Sequence, residues 1–228
     1  MPDYFTHAIC AQKILENCKK DVKNRVDNLT LYKLGAQGGD LFFAYKLNFG
    51  KTNLGRKLHN VNAREIIAAL TSSNISYAAG FATHYALDCT LHPIVYSFES
   101  SAKSPLAHQR FENDLGLYVS RRFAIPRNIL PRERLLSATF EIYDCVVKFE
   151  PKITITGVER CLKRYFGYTR AQFKTKKQEF NFNYDYRSLS GAVDDAISLG
   201  VSCVGAVVSG EVKSNSSSEL FSRSFLEK

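Results

Sequence analysis

The placement of the histidines limits most strongly what this chain can become. All five, His7, His59, His84, His92 and His108, fall in the first half of the 228 residues, most of them near an aspartate or glutamate. In His84-Tyr-Ala-Leu-Asp88-Cys-Thr-Leu-His92 the ionisable residues recur at four-residue steps. On an α-helix each step is a little over one turn, so the three side chains stack along one face and could serve two adjacent cations. His108-Gln-Arg-Phe-Glu112 repeats the step. A lone His-x-x-x-Asp pair is more often a hydrogen-bonded structural pair, because imidazole readily satisfies a carboxylate. Two such units plus Asp40 and His59 are different: packing them together without a cation would cost on the order of several kcal/mol per uncompensated charge. Imidazole and carboxylate are the donors zinc takes where cysteine is not used.

The remaining pattern is helical. Thr6 can cap a first helix over about 6–18 that points Ile9 and Ile14 coreward. Gly35-Ala36-Gln37-Gly38-Gly39-Asp40 has too many glycines for a helix and reads as a turn that delivers Asp40. Residues 48–62 read as a loop. Asn62 can cap the next helix, and another is expected from Ile75 to Leu91, closed by Pro93. Pro105 fits the first turn of a helix reaching Arg122, with further helices over about 131–149, 156–166 and 187–209. The fold class expected is all-α, one helical domain over residues 1–212. Residues 213–228, with Ser214-Asn215-Ser216-Ser217-Ser218, read as a flexible polar tail with little to form a core.

Six cysteines without a C-x-x-C pair argue against a zinc ribbon or a thioredoxin-like motif. Cys89 adjoins a suspected ligand but is expected to be a small buried hydrophobe. MPDYFTHAICAQKIL carries no secretion signal, and the best apolar window, Leu199 to Val208, is too short to cross a bilayer, so a soluble cytoplasmic protein without a transmembrane segment is expected. The net charge of +9 permits contact with nucleic acid or an anionic membrane surface. Its basic clusters, Lys19-Lys20, Arg121-Arg122 and Lys174-Thr175-Lys176-Lys177, are separate, however, and read as solvated surface.

The segments MPDYFTHAICAQKIL, GAQGGDLFF, GRKLHN, GFATHYALDCTLHP and HQRFE, in this order over about residues 1–112, resemble the zinc-dependent phospholipase C family, in its bacterial branch without a secretion signal. The resemblance implies an all-helical domain, of a type shared with single-strand nucleases, that holds two to three zinc ions. It implies that Asp40, His59, His84 and Asp88 surround one zinc. Asp88 would bridge to a second, also held by His7 and the chain's N-terminus, and His92, His108 and Glu112 would hold a third.

The expected activity is hydrolysis of a phospholipid or related phosphodiester, with Asp40 orienting or deprotonating the attacking water. A single-strand nuclease, or a metal-stabilised binding protein without turnover, stays open. Phe42, Phe43 and Tyr45, which follow Asp40, could line a substrate pocket but read first as core.

Overall fold

Ala78, Ala79, Gly80, Ala82 and Ala86 thin one helix between its large side chains Tyr77, Phe81 and Tyr85, so a neighbouring element can approach its backbone closely. That helix is α6, Ile75–Ala102, and it is buried nearly all round from Ser76 to Cys89. A helix with no polar face belongs inside a protein. The computed structural model describes residues 4–47, 50–102, 106–175, 180, 185–213, 219–223 and 225.

Around α6 stand α1 (Tyr4–Asn17), α3 (Leu29–Gly35), α5 (Ala63–Thr71), α7 (Ala107–Phe123) and α11 (Tyr186–Ser209), with α2 (Lys20–Arg25) and α4 (Leu54–His59) in the first half of the chain. Outside them lie α8 (Arg132–Ser137), α9 (Thr139–Val146) and α10 (Ile155–Thr175). α3 and α6 pack backbone against backbone. A Cβ on Gly35 would lie 2.2 Å from the Tyr77 carbonyl, and one on Gly80 2.1 Å from that of Tyr32, so both positions require glycine. Buried hydrogen bonds from the Tyr32 hydroxyl to the Ala11 carbonyl (2.9 Å) and with Thr83 Oγ1 (3.1 Å) tie α1 and α6 to the same element.

The all-α expectation holds, and Ile9 and Ile14 are buried as read. The first helix already includes Tyr4, so Thr6 lies inside it and does not cap it, and the helix expected over 156–166 runs on to Thr175. Four further local expectations need correction. The predicted 48–62 loop contains a short antiparallel pair, β1 (Lys46–Leu47) and β2 (Thr52–Asn53), followed by α4; the Asn53 side chain accepts from the Arg56 amide and so starts that helix. Pro93 does not close α6. It withholds one N–H from the helix, but Val95 is buried and Phe98 packs on Phe111 of α7 with ring centroids 4.9 Å apart, and this packing carries the helix on to Ala102. The single helix expected over 131–149 is two, α8 and α9. Finally, residues 213–228 do contribute to the core: Phe221 and Phe225 are both buried, each worth about 1.5–3 kcal/mol of apolar burial. Pro105 lies outside the described residues.

Arg187–Ser209 in α11 is long and apolar enough by composition to span a membrane, a property the shorter window Leu199 to Val208 does not convey. Half of its most apolar 18-residue window is buried. A Cβ on its Gly200 would meet Ile14 of α1 at 2.3 Å, and Asp185 caps the helix by accepting from the Arg187 amide. These contacts pack one face of α11 against the rest of the fold.

Candidate metal centre

Four elements converge on the middle of α6. His7 comes from α1, Asp40 from the tight turn Gly38–Phe42, and His59 from the last turn of α4. His84, Asp88 and His92 come from α6, and His108 and Glu112 from α7. The turn reaches His84 only because of Gly38, whose φ of +51° is left-handed and whose Cβ would lie 1.9 Å from the His84 ring. All eight residues suspected from sequence are therefore brought together. Seven are buried, and His108 keeps a quarter of its side chain exposed.

Asp88 sits at the middle and divides its two oxygens. Oδ2 lies 3.2 Å from His84 Nε2 and 3.5 Å from His59 Nε2, while Oδ1 lies 3.4 Å from His7 Nε2 and 3.7 Å from His92 Nδ1. His59 Nε2 is also 3.1 Å from His84 Nε2 and 3.5 Å from Asp40 Oδ1. Zinc with tetrahedral ligands about 2.0–2.1 Å away sets neighbouring donors about 3.3 Å apart. The edges linking Asp40, His59, His84 and Asp88 bracket that value. A second set, His92, His108 and Glu112, has Glu112 Oε1 3.0 Å from His108 Nε2 and 4.0 Å from His92 Nε2. Among the described residues, three groups have donors close enough to share an ion: His59, His84 and Asp88; His7, Asp40 and His84; and His92, His108 and Glu112. A cavity of about 20 Å³, the size of one water or ion, lies between His7, Asp88, His92 and Glu112.

Ring orientation follows from the other nitrogen of each histidine. His59 Nδ1 donates to the Gly55 carbonyl at 2.7 Å and His92 Nδ1 to the Asp88 carbonyl at 3.2 Å, which leaves both Nε2 lone pairs for an ion. The carboxylates are left incomplete in a matching way. Asp40 Oδ1, Asp88 Oδ2 and Glu112 Oε2 are buried without a hydrogen-bond partner. An acceptor stranded like this normally costs about 1–3 kcal/mol or more, and a cation removes the deficit.

Electrostatics says the same. Burial pushes the Asp88 carboxyl up to about 7, with nearby Glu112 adding to the rise and His92 opposing it, and it raises Asp40 well above the usual carboxylate range. Burial also drives His7 down to about 3, helped by His92 and His59, and His84 well below its ordinary value. Without a cation, Asp40 and Asp88 hold their protons more tightly and His7 and His84 stay neutral, while the hydrogen bond to Glu112, with Glu99 adding to it, raises His108. A divalent ion reverses that preference by stabilising carboxylates in the same space. The donor set, its spacing and its stranded oxygens fit zinc.

A family model described as zinc dependent phospholipase C matches residues 6–198. The chain belongs to the zinc-dependent phospholipase C family. No curated protein and no solved structure gave a significant match. The family match takes in all eight suspected residues and extends well beyond Glu112, where the sequence motifs stop. The α-amino group invoked for the second ion lies outside the described residues.

Some parts of this phospholipase C-family centre escaped the sequence reading. Tyr96 stacks on His92 with centroids 5.5 Å apart and planes at 22°, and its ring lies 5.7 Å from that of His108. Glu99 Oε2 accepts from His108 Nδ1 at 3.0 Å. Phe225 contacts the His59 and His84 rings at 5.9 and 6.1 Å. The first two continue the His84–Asp88–His92 face along α6 and were legible had the helix not been ended at Pro93. Nothing local marks Phe225. Of the aromatics after Asp40, Phe42 is core as read, while half-buried Phe43 lies 5.5 Å from the His59 ring. Cys89 is buried and belongs to none of the three groups.

Proposed function

We propose that the protein is a zinc-dependent, phospholipase C-like phosphodiester hydrolase that releases a phosphorylated headgroup from a phospholipid or a related phosphodiester. The observation that carries this reading is that Asp88 turns one oxygen to His84 and the other to His7, beside the separate group His92, His108 and Glu112, within a chain of this family. In the proposed assignment Asp40, His59, His84 and Asp88 hold one ion, His7 and Asp88 contribute to a second, and His92, His108 and Glu112 hold a third. Zinc bound there would neutralise phosphate oxygens, lower the pKa of a water toward about 7 and stabilise the leaving alkoxide.

The chain's own contribution is orientation and proton transfer. Asp40 Oδ1 is buried, lacks a hydrogen-bond partner and stands at the edge of the first group, 3.5 Å from His59 Nε2. Burial raises its proton affinity, which suits a group that orients the attacking water and accepts its proton. Asp40→Asn keeps an oxygen donor and the volume but removes the base. Its kcat is expected to fall by about 10²–10⁴ while the zinc content stays within a fraction of an ion of the parent. Unchanged turnover at unchanged zinc removes Asp40 from this role.

The reading as a whole is tested by elemental analysis of tag-free protein, together with hydrolysis of a chromogenic phosphodiester before and after chelation. Two to three zinc per chain with chelator-sensitive, zinc-restorable turnover is the expected result. No zinc, and no turnover when zinc is added, overturns it. Preferential cleavage of single-stranded DNA in the same assay would move the activity to nucleic acid.

A further inference from the structure

Past Pro93, α6 carries Tyr96 and Glu99 along the face that holds His84, Asp88 and His92 and brings them over His108 of α7. The His108 ring is gripped at both nitrogens: Glu99 Oε2 lies 3.0 Å from Nδ1, and Glu112 Oε1 lies 3.0 Å from Nε2. Tyr96, stacked on His92 and close to His108, holds the planes of both rings. His59 and His92 also have Nδ1 engaged, but by neutral backbone carbonyls. His108 has a carboxylate there instead.

We propose that Glu99 is a positioning residue for the third donor group, holding His108 with its proton on Nδ1 and its Nε2 lone pair turned toward the ion shared with His92 and Glu112. This rests on the zinc reading above. A charged acceptor makes a hydrogen bond roughly twice as strong as a neutral one, and it raises the donor strength of the opposite nitrogen. The demand for it is greatest at this group. His108 is the one ring of the set that reaches solvent, with 26% of its side chain exposed, and water would otherwise compete for both of its nitrogens. Within the group His92 Nε2 stands 4.0 Å from Glu112 Oε1 while His108 Nε2 stands 3.0 Å from it, so retention of its ion depends more on the His108 ring.

Glu99 is half exposed and is not a ligand, so the fold should tolerate its replacement. The test compares Glu99→Ala and Glu99→Gln with the parent by competition against a chromogenic zinc chelator, and compares the thermal midpoints of the metal-free proteins. Glu99→Ala is expected to weaken one zinc per chain by about 10- to 100-fold and leave the rest unchanged, with the metal-free midpoint unaltered. Glu99→Gln, whose amide oxygen still accepts from Nδ1, is expected to recover part of that loss. If the parent binds zinc and Glu99→Ala binds every ion as tightly, the positioning role is overturned and the zinc reading stands. If Glu99→Ala loosens all ions and lowers the metal-free midpoint, the residue is structural and the proposal fails. A parent chain that takes up no zinc overturns the zinc reading itself, and this proposal with it.

Discussion

Asp88→Asn should leave a folded protein that loses at least two zinc ions per chain and nearly all turnover. The carboxylate divides its oxygens between the His59–His84 side and the His7–His92 side. An asparagine amide fills the space but offers one oxygen, and it turns an N–H₂ toward the other group. Removing one preorganised donor from an enzyme site commonly costs about 10²–10³ in kcat, and loss of a bound cation should exceed that. The loss should not come from unfolding. Asp88 is a buried acid held up to about 7, so its negative charge burdens the metal-free fold, and that burden grows as pH rises from the unfolded value near 3.8 through about 7. A neutral amide avoids it, so metal-free Asp88→Asn should be at least as stable as the metal-free parent at pH 8. Zinc content by elemental analysis and thermal midpoints at pH 8 check both halves. Retention of all zinc would remove Asp88 from the bridging position.

The second large effect lies at a residue with no chemistry of its own. Gly38→Ala should abolish zinc binding at the His84 groups and lower the thermal midpoint by roughly 5–15 °C, from about 2–5 kcal/mol of combined strain and overpacking. Two causes add here: φ is +51°, and the new Cβ would lie 1.9 Å from the His84 ring. The ring has nowhere to go, because His7, His59, Phe81 and Phe225 surround it. Gly50→Ala separates the two causes. Gly50 has a positive φ of +87° with open space around it, so its replacement should cost only about 1–2 kcal/mol and leave zinc untouched. Equal zinc loss in both variants would mean that backbone strain, not the collision with His84, governs the centre.

The sequence by itself determined the ingredients of the site and the kind of fold. Helical periodicity put His84, Asp88 and His92 on one face, and His108 and Glu112 on another, because side chains four residues apart on a helix must be neighbours whatever surrounds them. The glycines before Asp40 marked a turn for an equally local reason. What lay beyond local rules was decided by tertiary packing. Pro93 looked like a helix end because it withholds an N–H, but contacts of Val95 and Phe98 outweigh one hydrogen bond, and the extension they support places Tyr96 and Glu99 over the centre. His59 looked like part of a loop because its segment is rich in glycine, asparagine and lysine. The Asn53 cap and the Gly55 carbonyl make it a helix end with a fixed ring. Phe225, inside a stretch that composition reads as a polar tail, packs against His59 and His84 from more than a hundred residues away in sequence. Burial of one aromatic depends on a surface built by other helices, and no window of sequence around it contains that surface.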